Sequence, residues 1–133
     1  MKYLLDTNTC IRFINGRAPK IRIHLLNTVQ DDIVVCTVVK AEMAYGALKS
    51  QYPEISLAKQ NHFLSQFRSL AFDENAVLHY GKIRAGLEKR GTPIGHADIQ
   101  IASIALAHGL ILVTHNTREF SRVDGLALDD WEI

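Results

Sequence analysis

The sequence predicts a three-layer α/β/α fold built around a central, mainly parallel β-sheet. Three short apolar segments, at residues 2–5, 32–36 and 110–114, have the length and composition of buried strands. The longer segments between them carry apolar residues at helical spacing. Strands that alternate with helices pair in parallel, with helices on both faces of the sheet. Because the chain has no repeat, linker or low-complexity stretch, we expect residues 1–133 to form a single domain.

The first half of the chain has clear start and stop signals. The predicted elements are, in order, a strand at 2–5, helices at 7–15 and 19–29, a strand at 32–36, and helices at 38–50 and 54–68. Asn15-Gly16 ends the first helix, Pro19 opens the second, and Thr37 is expected to cap the third. The apolar residues of the fourth helix expected to face inward are Phe63, Leu64 and Phe67.

The second half is predicted to contain two helices, one full strand and two minor strands. These are a helix at 73–90, a helix at 95–108, a strand at 110–114, and minor strands at 70–72 and 126–128. Gly91-Thr92-Pro93 forms the turn between the helices, and Gly109 stops the second helix. The apolar residues of the first of these helices recur at helical spacing: Ala76, Val77, Tyr80, Ile83 and Leu87.

The composition is that of a soluble globular protein, with 47% hydrophobic and 22% charged residues. Asp6 interrupts the N-terminal apolar run before a secretory signal could form. The near-apolar tract at 99–113 is too short for a membrane span, which needs about 20 residues. Cys10 and Cys36 match no metal-binding spacing, and we expect both to be buried and reduced. These features predict a cytoplasmic protein without a membrane segment.

Basic residues crowd the region just after the first strand, although the formal net charge of the chain is only +1. This basic patch consists of Arg12, Arg17, Lys20 and Arg22, while Asp129, Asp130 and Glu132 gather at the C-terminus. A basic patch beside an acidic site is compatible with a phosphate backbone as ligand. A solvated helix face explains the patch equally well, and both interpretations stay open at this point.

Two acids are placed by the predicted elements to meet at one edge of the sheet. Asp6 directly follows the first strand, and ligands of open α/β sheets gather beyond the carboxyl ends of the strands. Asp98 lies on the helix at 95–108, nearly opposite its expected solvent face. A carboxylate on an apolar helix face is costly unless something pairs with it. The residues of that expected solvent face are His96, Gln100, Ser103 and Ala107.

Glu42 is the third candidate, on the small apolar face of the helix at 38–50. Each of the three acids also has a structural interpretation. Asp6 is at an N-cap position, Asp98 could cap its own helix, and Glu42 could form an exposed ion pair with Lys49. Capping and metal binding are compatible at Asp6, because a helix N-terminus favours negative charge.

Three converging carboxylates repel one another and raise one another's pKa values unless a cation neutralises them. An all-oxygen site without cysteine or a histidine pair favours Mg²⁺ or Mn²⁺ over Zn²⁺. His96 and His115 flank the predicted site, where they could contact a substrate.

In these and neighbouring segments the chain resembles a known family, the PIN-domain ribonucleases, and specifically the VapC toxins of type II toxin–antitoxin modules. The segments that carry the resemblance occur in family order over nearly the whole chain. They are LLDTN at 4–8, VVKAEMAYGA at 38–47, IGHADIQIAS at 94–103, LILVTHNTREF at 110–120 and VDGLALDDW at 123–131.

The resemblance implies a Mg²⁺-dependent endoribonuclease whose metal-binding and catalytic acids are Asp6, Glu42 and Asp98. Many PIN domains carry a fourth acid just after the last main strand, where this chain has Asn116. Asn116 therefore joins the catalytic candidates, and Glu119 is a possible substitute for the fourth acid. Residues expected to contact substrate, or to orient groups of the site, are Asn8, Arg12, Arg17, Lys20 and Arg118.

The implied reaction is hydrolysis of an RNA phosphodiester at the metal site, leaving 5′-phosphate and 3′-hydroxyl ends. For the family, the expected substrate is structured RNA, above all the anticodon stem-loop of tRNA, and the outcome is inhibition of translation. The expected partners are a VapB-type antitoxin and a second copy of the chain, within a larger complex that binds operator DNA through the antitoxin.

Three other functions are weaker predictions. A phosphatase of the haloacid-dehalogenase type would need a second Asp in the segment Asp6-Thr7-Asn8-Thr9, which has none. A receiver domain would need an acidic pair near the first strand and an Asp after the third. The remaining alternative is a non-catalytic PIN-like module that binds RNA or a protein partner.

Overall fold

The computed structural model describes residues 1–133 and contains one five-stranded sheet. Its strands are β1 (Tyr3–Leu5), β2 (Ile33–Cys36), β3 (Arg68–Leu70), β4 (Ile111–Val113) and β5 (Leu128–Asp129). All neighbouring strands pair in parallel, in the order β3-β2-β1-β4-β5. The predicted three-layer α/β/α fold with a parallel sheet is confirmed.

Seven α-helices flank the sheet. They are α1 (Thr7–Ile14), α2 (Pro19–Leu26), α3 (Thr37–Leu48), α4 (Pro53–Leu64), α5 (Glu74–Lys89), α6 (His96–Ala107) and α7 (Thr117–Phe120), with a 3₁₀ turn at Gln30–Asp32. The main helix pairs are α3 with α4 and α5 with α6. None of the helices is both long enough and apolar enough to cross a membrane.

The short strands form the centre of the core. All four residues of β2 are buried, as are Leu4 and Leu5 of β1. Such continuous apolar runs are typical of parallel strands covered on both faces. Cys10 and Cys36 belong to the same core and are free thiols, so the prediction of two buried, unbridged cysteines is confirmed.

Several predicted boundaries are wrong. The helix predicted at 54–68 ends at Leu64, because Arg68 already pairs with Val34 in β3. The minor strand predicted at 70–72 therefore begins two residues earlier. Thr37 is the first residue of α3 rather than its cap, and the capping position belongs to Cys36, which makes no side-chain capping bond.

Other differences concern exposure and short helices. Val77 of α5 is exposed, although its spacing matches that of the inward residues. The helix predicted at 19–29 ends at Leu26, with Asn27 as its cap. Neither α7 nor the 3₁₀ turn at Gln30–Asp32 was predicted.

The predicted solvent face of α6 is also wrong. Ser103 is fully buried, and its hydroxyl donates a hydrogen bond to the carbonyl of Ile99 at 2.6 Å. Every residue from Ile99 to Ala105 except Gln100 is buried, because α6 contacts α5, α3 and β4 at once. Only His96, at the start of the predicted face, is exposed.

Candidate active site

The centre of the sheet contains a topological switch point at its carboxyl edge. The chain proceeds from β1 outward to β2 and β3, then returns to place β4 on the other side of β1. In sheets of this kind the crevice beyond the carboxyl ends of the two diverging strands is where ligands bind. Asp6 follows β1 and Thr114 follows β4, so both lie at this crevice.

Asp6 is the N-cap of α1. Its Oδ1 accepts a hydrogen bond from the backbone N–H of Thr9 at 2.8 Å, which satisfies a free donor of the first turn. The residue is only 5% exposed. Burial raises the pKa of Asp6, although hydrogen bonds from Thr114 and Thr9 oppose the shift. The expected capping role is therefore present.

Glu42, on α3, is hydrogen-bonded to the residue that follows Asp6. Its Oε1 accepts a hydrogen bond from the hydroxyl of Thr7 at 2.6 Å, which links α3 to the first turn of α1. Glu42 itself is exposed, whereas the buried face of α3 carries Val39, Met43 and Ala47. The alternative ion pair with Lys49 does not form, because that ammonium lies 4.5 Å over the ring of Tyr45.

Asp98 lies in the first turn of α6 and is half-buried. The pKa of Asp98 is raised from 3.8 to about 6, first by burial and then by the negative charges of Glu42, Asp6 and Glu119. The alternative that Asp98 caps its own helix is wrong, since the N-cap is Gly95 and no side chain bonds to it. Asp98 is thus linked electrostatically to the other three acids.

The two candidates for the fourth position separate in the structure. Glu119, on α7, is close enough for its charge to raise the pKa of Asp98. Asn116 is the N-cap of α7, and its backbone N–H donates to the hydroxyl of Thr114 at 3.0 Å. Glu119 lies three residues after Asn116, and its role as the fourth acid stays a prediction.

The four carboxylates Asp6, Glu42, Asp98 and Glu119 fit a divalent cation. Their donor atoms are all oxygens, which suits hard cations, and a cation would relieve the repulsion that raises the pKa of Asp98. The ligand atoms of these four acids do not all lie within 4.8 Å of one another. The group that does meet this distance consists of His115, Asp130 and Glu132. Mg²⁺ retains several waters and needs only one or two direct carboxylates, so it does not require all four acids as direct ligands.

A polar cavity of about 510 Å³ adjoins these acids, with no apolar residue in its wall. In it, Nε of Arg12 donates to Oε1 of Glu132 at 2.6 Å. At its rim, Nδ1 of His115 lies 2.9 Å from Oδ2 of Asp130, and this contact raises the pKa of His115. The residues that line the cavity are Asn8, Arg12, His115, Asn116 and Glu132.

Comparisons with known proteins agree with this geometry. The sequence profile described as the PIN domain matches residues 3–126. The tRNA(fMet)-specific endonuclease VapC of Shigella flexneri is 44% identical over 98% of both chains, and Ribonuclease VapC2 of Haemophilus influenzae strain KW20 is 41% identical over the same shares. The chain belongs to the VapC group of PIN domains.

Solved structures of relatives have the same fold. The toxin chain of the DNA-bound VapBC complex from Salmonella typhimurium superposes with a TM-score of 0.91, at 42% identity and 98% coverage of both chains. The DNA-bound VapBC2 complex from Rickettsia felis gives a TM-score of 0.92 at 36% identity, covering 98% of this chain and 99% of that one. The family resemblance predicted from the sequence segments is confirmed, and PIN-domain nucleases generally depend on divalent metal ions.

The predicted basic contacts of this PIN domain are dispersed. Arg12 and Asn8 line the polar cavity. Arg17 lies in the connection between α1 and α2, Lys20 in the first turn of α2, and Arg118 on α7; all three are exposed. No contact in the structure draws these three to the acids, and their role in substrate binding stays a prediction.

Sequence reasoning missed the partners that hold the site together. Thr7 donates to Glu42, and Glu132 accepts from Arg12, which is 120 positions away in the chain. The sequence does hint at the pairing of Arg12 with Glu132, because the basic patch and the acidic C-terminus have opposite charge. Charge pattern alone does not identify which members pair.

Proposed function

We propose that the protein is a metal-dependent endoribonuclease, the toxin of a type II toxin–antitoxin module. The observation that supports it most directly is the convergence of Asp6, Glu42, Asp98 and Glu119, expressed in the raised pKa of Asp98. Relatives at 41–44% identity over nearly the whole chain carry the names ribonuclease and endonuclease. The catalytic acids we assign are Asp6, Glu42 and Asp98, with Glu119 favoured over Asn116 as the fourth.

The acid cluster argues against the alternative of a module that only binds RNA. Clustered carboxylates repel a phosphate backbone and repel one another, so they weaken both RNA binding and the folded state. A nuclease gains from them the means to hold a cation. Glu119, whose charge acts on Asp98, also supports the nuclease, because it offers an acid for the position where the family motif has one and this chain has Asn116.

The proposed cation is Mg²⁺, with Mn²⁺ as a substitute. When bound, it would stabilise negative charge that develops on the phosphate and lower the pKa of the attacking water. Asp6 and Asp98 would hold it, and the backbone N–H of Thr9 fixes the orientation of the Asp6 carboxylate. The bond from Thr7 holds Glu42 toward the same place. Since ionised acids are needed, a neutral or alkaline pH favours the reaction.

The proposed substrate is tRNA, cut to leave 5′-phosphate and 3′-hydroxyl ends. The relatives from Shigella flexneri and Salmonella typhimurium are named tRNA(fMet)-specific endonucleases. The anticodon stem-loop is the segment that we expect to be cleaved, and inhibition of translation would follow. Such a substrate places the protein in the cytoplasm.

The proposed partner is a VapB-type antitoxin that covers the acidic crevice. Two of the solved relatives are VapBC complexes bound to DNA, one of them to a promoter fragment. We propose that this chain, folded as one domain, forms a homodimer within such a complex, and that the antitoxin contacts the operator DNA.

The test is cleavage of bulk tRNA by antitoxin-free protein in Mg²⁺ and in EDTA. Wild type and Asp98→Asn are compared with Asp31→Asn, which changes an exposed acid away from the crevice. We expect discrete fragments from wild type and Asp31→Asn in Mg²⁺ only. Intact tRNA with every protein and metal, from samples shown to be folded, would favour the binding module.

A further inference from the structure

Two side chains that line the polar cavity, Arg12 and His115, each pair with a carboxylate near the C-terminus. In each case a largely buried carboxylate from the last residues of the chain holds one nitrogen of an exposed cationic or titratable side chain. Glu132 is 9% exposed and holds Arg12, which is 43% exposed. Asp130 is 10% exposed and holds His115, which is 61% exposed. The buried acid is the fixed member, and the exposed side chain is the one that it orients.

Arg12 keeps most of its donors free. Only Nε donates to Glu132, and neither terminal nitrogen of the guanidinium has a protein acceptor. A guanidinium presents its five N–H groups in a rigid plane, so a bond at Nε fixes the direction of the others. The two terminal nitrogens then form a fork that matches the oxygens of a phosphate.

His115 offers a second donor when its imidazole is protonated, and the contact with Asp130 favours that state because it raises the pKa of His115. Nδ1 is engaged by Asp130, and Nε2 of this exposed side chain has no protein partner. Side-chain amides of Asn8 and Asn116 complete the lining. Glu132 is the fifth wall residue, but its Oε1 accepts from Arg12 and its Oε2 is buried. The remaining groups of the wall are a guanidinium, an imidazole and two amides, which suit an anionic oxygen ligand.

The C-terminal segment is anchored so that it can act as a rigid support. The buried Trp131 stacks on His24, with ring centroids 5.2 Å apart, and its Nε1 donates to Asp129 at 3.0 Å. Between the two orienting acids, the backbone N–H of Glu132 donates to Oδ1 of Asp130 at 2.9 Å. Oε2 of Glu132 is buried without a partner, a cost in stability that packing alone does not explain.

A metal ion is the competing occupant, because ligand atoms of His115, Asp130 and Glu132 lie within 4.8 Å of one another. The contacts favour the anion. Oε1 of Glu132 already accepts from Arg12 and Oδ2 of Asp130 already contacts His115, so a cation there would face a guanidinium. The cavity also adjoins the acidic site, because its wall includes Asn8, two residues after Asp6, and Asn116, two residues after Thr114.

We propose that Asp130 and Glu132 are positioning residues, which orient His115 and Arg12 to bind a backbone phosphate of the RNA next to the scissile bond. This inference rests on the proposed function and adds a substrate subsite to it. It makes a prediction of unexpected sign. Removing a negative charge near an RNA-binding site would by simple electrostatics tighten binding, whereas removing Glu132 should weaken it.

The experiment measures the Kd of bulk tRNA in EDTA, where no cleavage occurs, for wild type, Arg12→Ala, Glu132→Gln and the double variant. We expect Arg12→Ala and Glu132→Gln each to raise Kd about tenfold, and the double variant to bind no more weakly than Arg12→Ala alone. Asp130→Asn with His115→Ala should give the same pattern. In Mg²⁺, KM for tRNA should rise while kcat changes little.

The matched control is Glu88→Gln on α5. This change also removes one negative charge and one arginine pair, with Arg84 at 3.0 Å, but on an exposed helix face. We expect its Kd for tRNA to be unchanged or slightly lower. Thermal unfolding of each variant shows whether the fold is intact, and the double-mutant cycle removes any general loss of structure from the comparison.

Three outcomes would overturn the inference. They are unchanged or tighter tRNA binding by Glu132→Gln, additive effects of Glu132→Gln and Arg12→Ala, and Mn²⁺ or Zn²⁺ binding by Asp98→Asn that Glu132→Gln abolishes. Failure of the proposed function looks different. In that case wild type leaves tRNA intact in Mg²⁺, whereas the binding measurements in EDTA still test the subsite.

Discussion

Asp98 shows how a single residue can carry opposing electrostatic effects. It lies in the first turn of α6, where the helix dipole favours negative charge. Burial and the charges of Glu42, Asp6 and Glu119 nevertheless raise its pKa to about 6. Burial and the repulsion within the acid site therefore both act against the helix terminus. A site of this kind is least favourable when every acid is ionised and no cation is present.

The first prediction is that Asp98→Asn stabilises the metal-free protein at neutral pH. The folded-state pKa is about 6 and the ordinary value is 3.8, so the folded protein holds this proton more tightly than the unfolded chain. Stability from this group is present below about pH 4 and is lost as the pH rises through about 6. With solvent screening of a half-buried group, we expect a gain of about 1 kcal/mol at pH 7.5.

Urea unfolding in EDTA measures this gain at pH 7.5 and at pH 4. The advantage of Asp98→Asn should be present at the higher pH and absent at the lower one. Asp31→Asn, an exposed acid outside the crevice, controls for the chemical change. An advantage of equal size at both pH values would contradict the electrostatic origin.

The second prediction distinguishes the two candidates for the fourth acid. Because the charge of Glu119 reaches Asp98, we expect Glu119→Gln to lower kcat in Mg²⁺ by about 10- to 100-fold, as for residues that tune a metal site. Asn116→Ala should instead raise KM, because Asn116 lines the polar cavity. Steady-state cleavage of tRNA measures both. Full kcat in Glu119→Gln together with a large loss of kcat in Asn116→Ala would assign the role to Asn116.

At the scale of elements, the sequence predicted what local signals encode. β1 is an apolar run closed by Asp6, and α6 is bounded by Gly95 and Gly109, so both were recognisable without the rest of the chain. The position predicted for β3 was wrong because Arg68 and Ser69 are exposed and polar. They form a strand only because they pair with β2. The face of α6 was misjudged because burial of Ser103 depends on three neighbouring elements.

The third prediction separates the two roles of Asp6 at the start of α1. Asn is as good an N-cap as Asp, so Asp6→Asn should keep the bond to the N–H of Thr9 and retain stability. Asp6→Ala removes that bond and should cost about 1–2 kcal/mol. Both should lose metal-dependent cleavage.

Urea unfolding in EDTA and tRNA cleavage in Mg²⁺, applied to the same two variants, provide the measurements. Retention of cleavage by Asp6→Asn would leave Asp6 with the capping role alone.

At the scale of the whole molecule, the strand order brings distant parts of the chain to one edge. β1 and β4 are neighbours at the switch point, so Asp6 and the segment from Thr114 to Glu119 meet there. β5 has only two residues, but its pairing with β4 at the edge of the sheet brings Asp130 and Glu132 to the same crevice. No local pattern encodes this meeting, which is why the sequence pointed to candidate acids but not to the pairing of Arg12 with Glu132 or of His115 with Asp130.

The fourth prediction is that a divalent cation stabilises the entire fold through the acid site. Binding to the folded state alone stabilises by RT ln(1 + [L]/Kd), about 2.7 kcal/mol at a metal concentration of 100 Kd. We expect Mg²⁺ or Mn²⁺ to raise the melting temperature of wild type, and Asp98→Asn to lose most of that increase.

Protons compete with the metal for Asp98, whose pKa is about 6, so the apparent metal affinity should fall about tenfold between pH 7.5 and pH 5. Thermal unfolding at a series of Mn²⁺ concentrations, repeated at both pH values, measures the effect. Glu132→Gln is the matched control, because it changes an acid of the adjoining cavity. If the cation binds at Asp98, Glu132→Gln should retain the metal-dependent increase in melting temperature. If Glu132→Gln loses that increase and Asp98→Asn keeps it, the cation binds in the polar cavity instead.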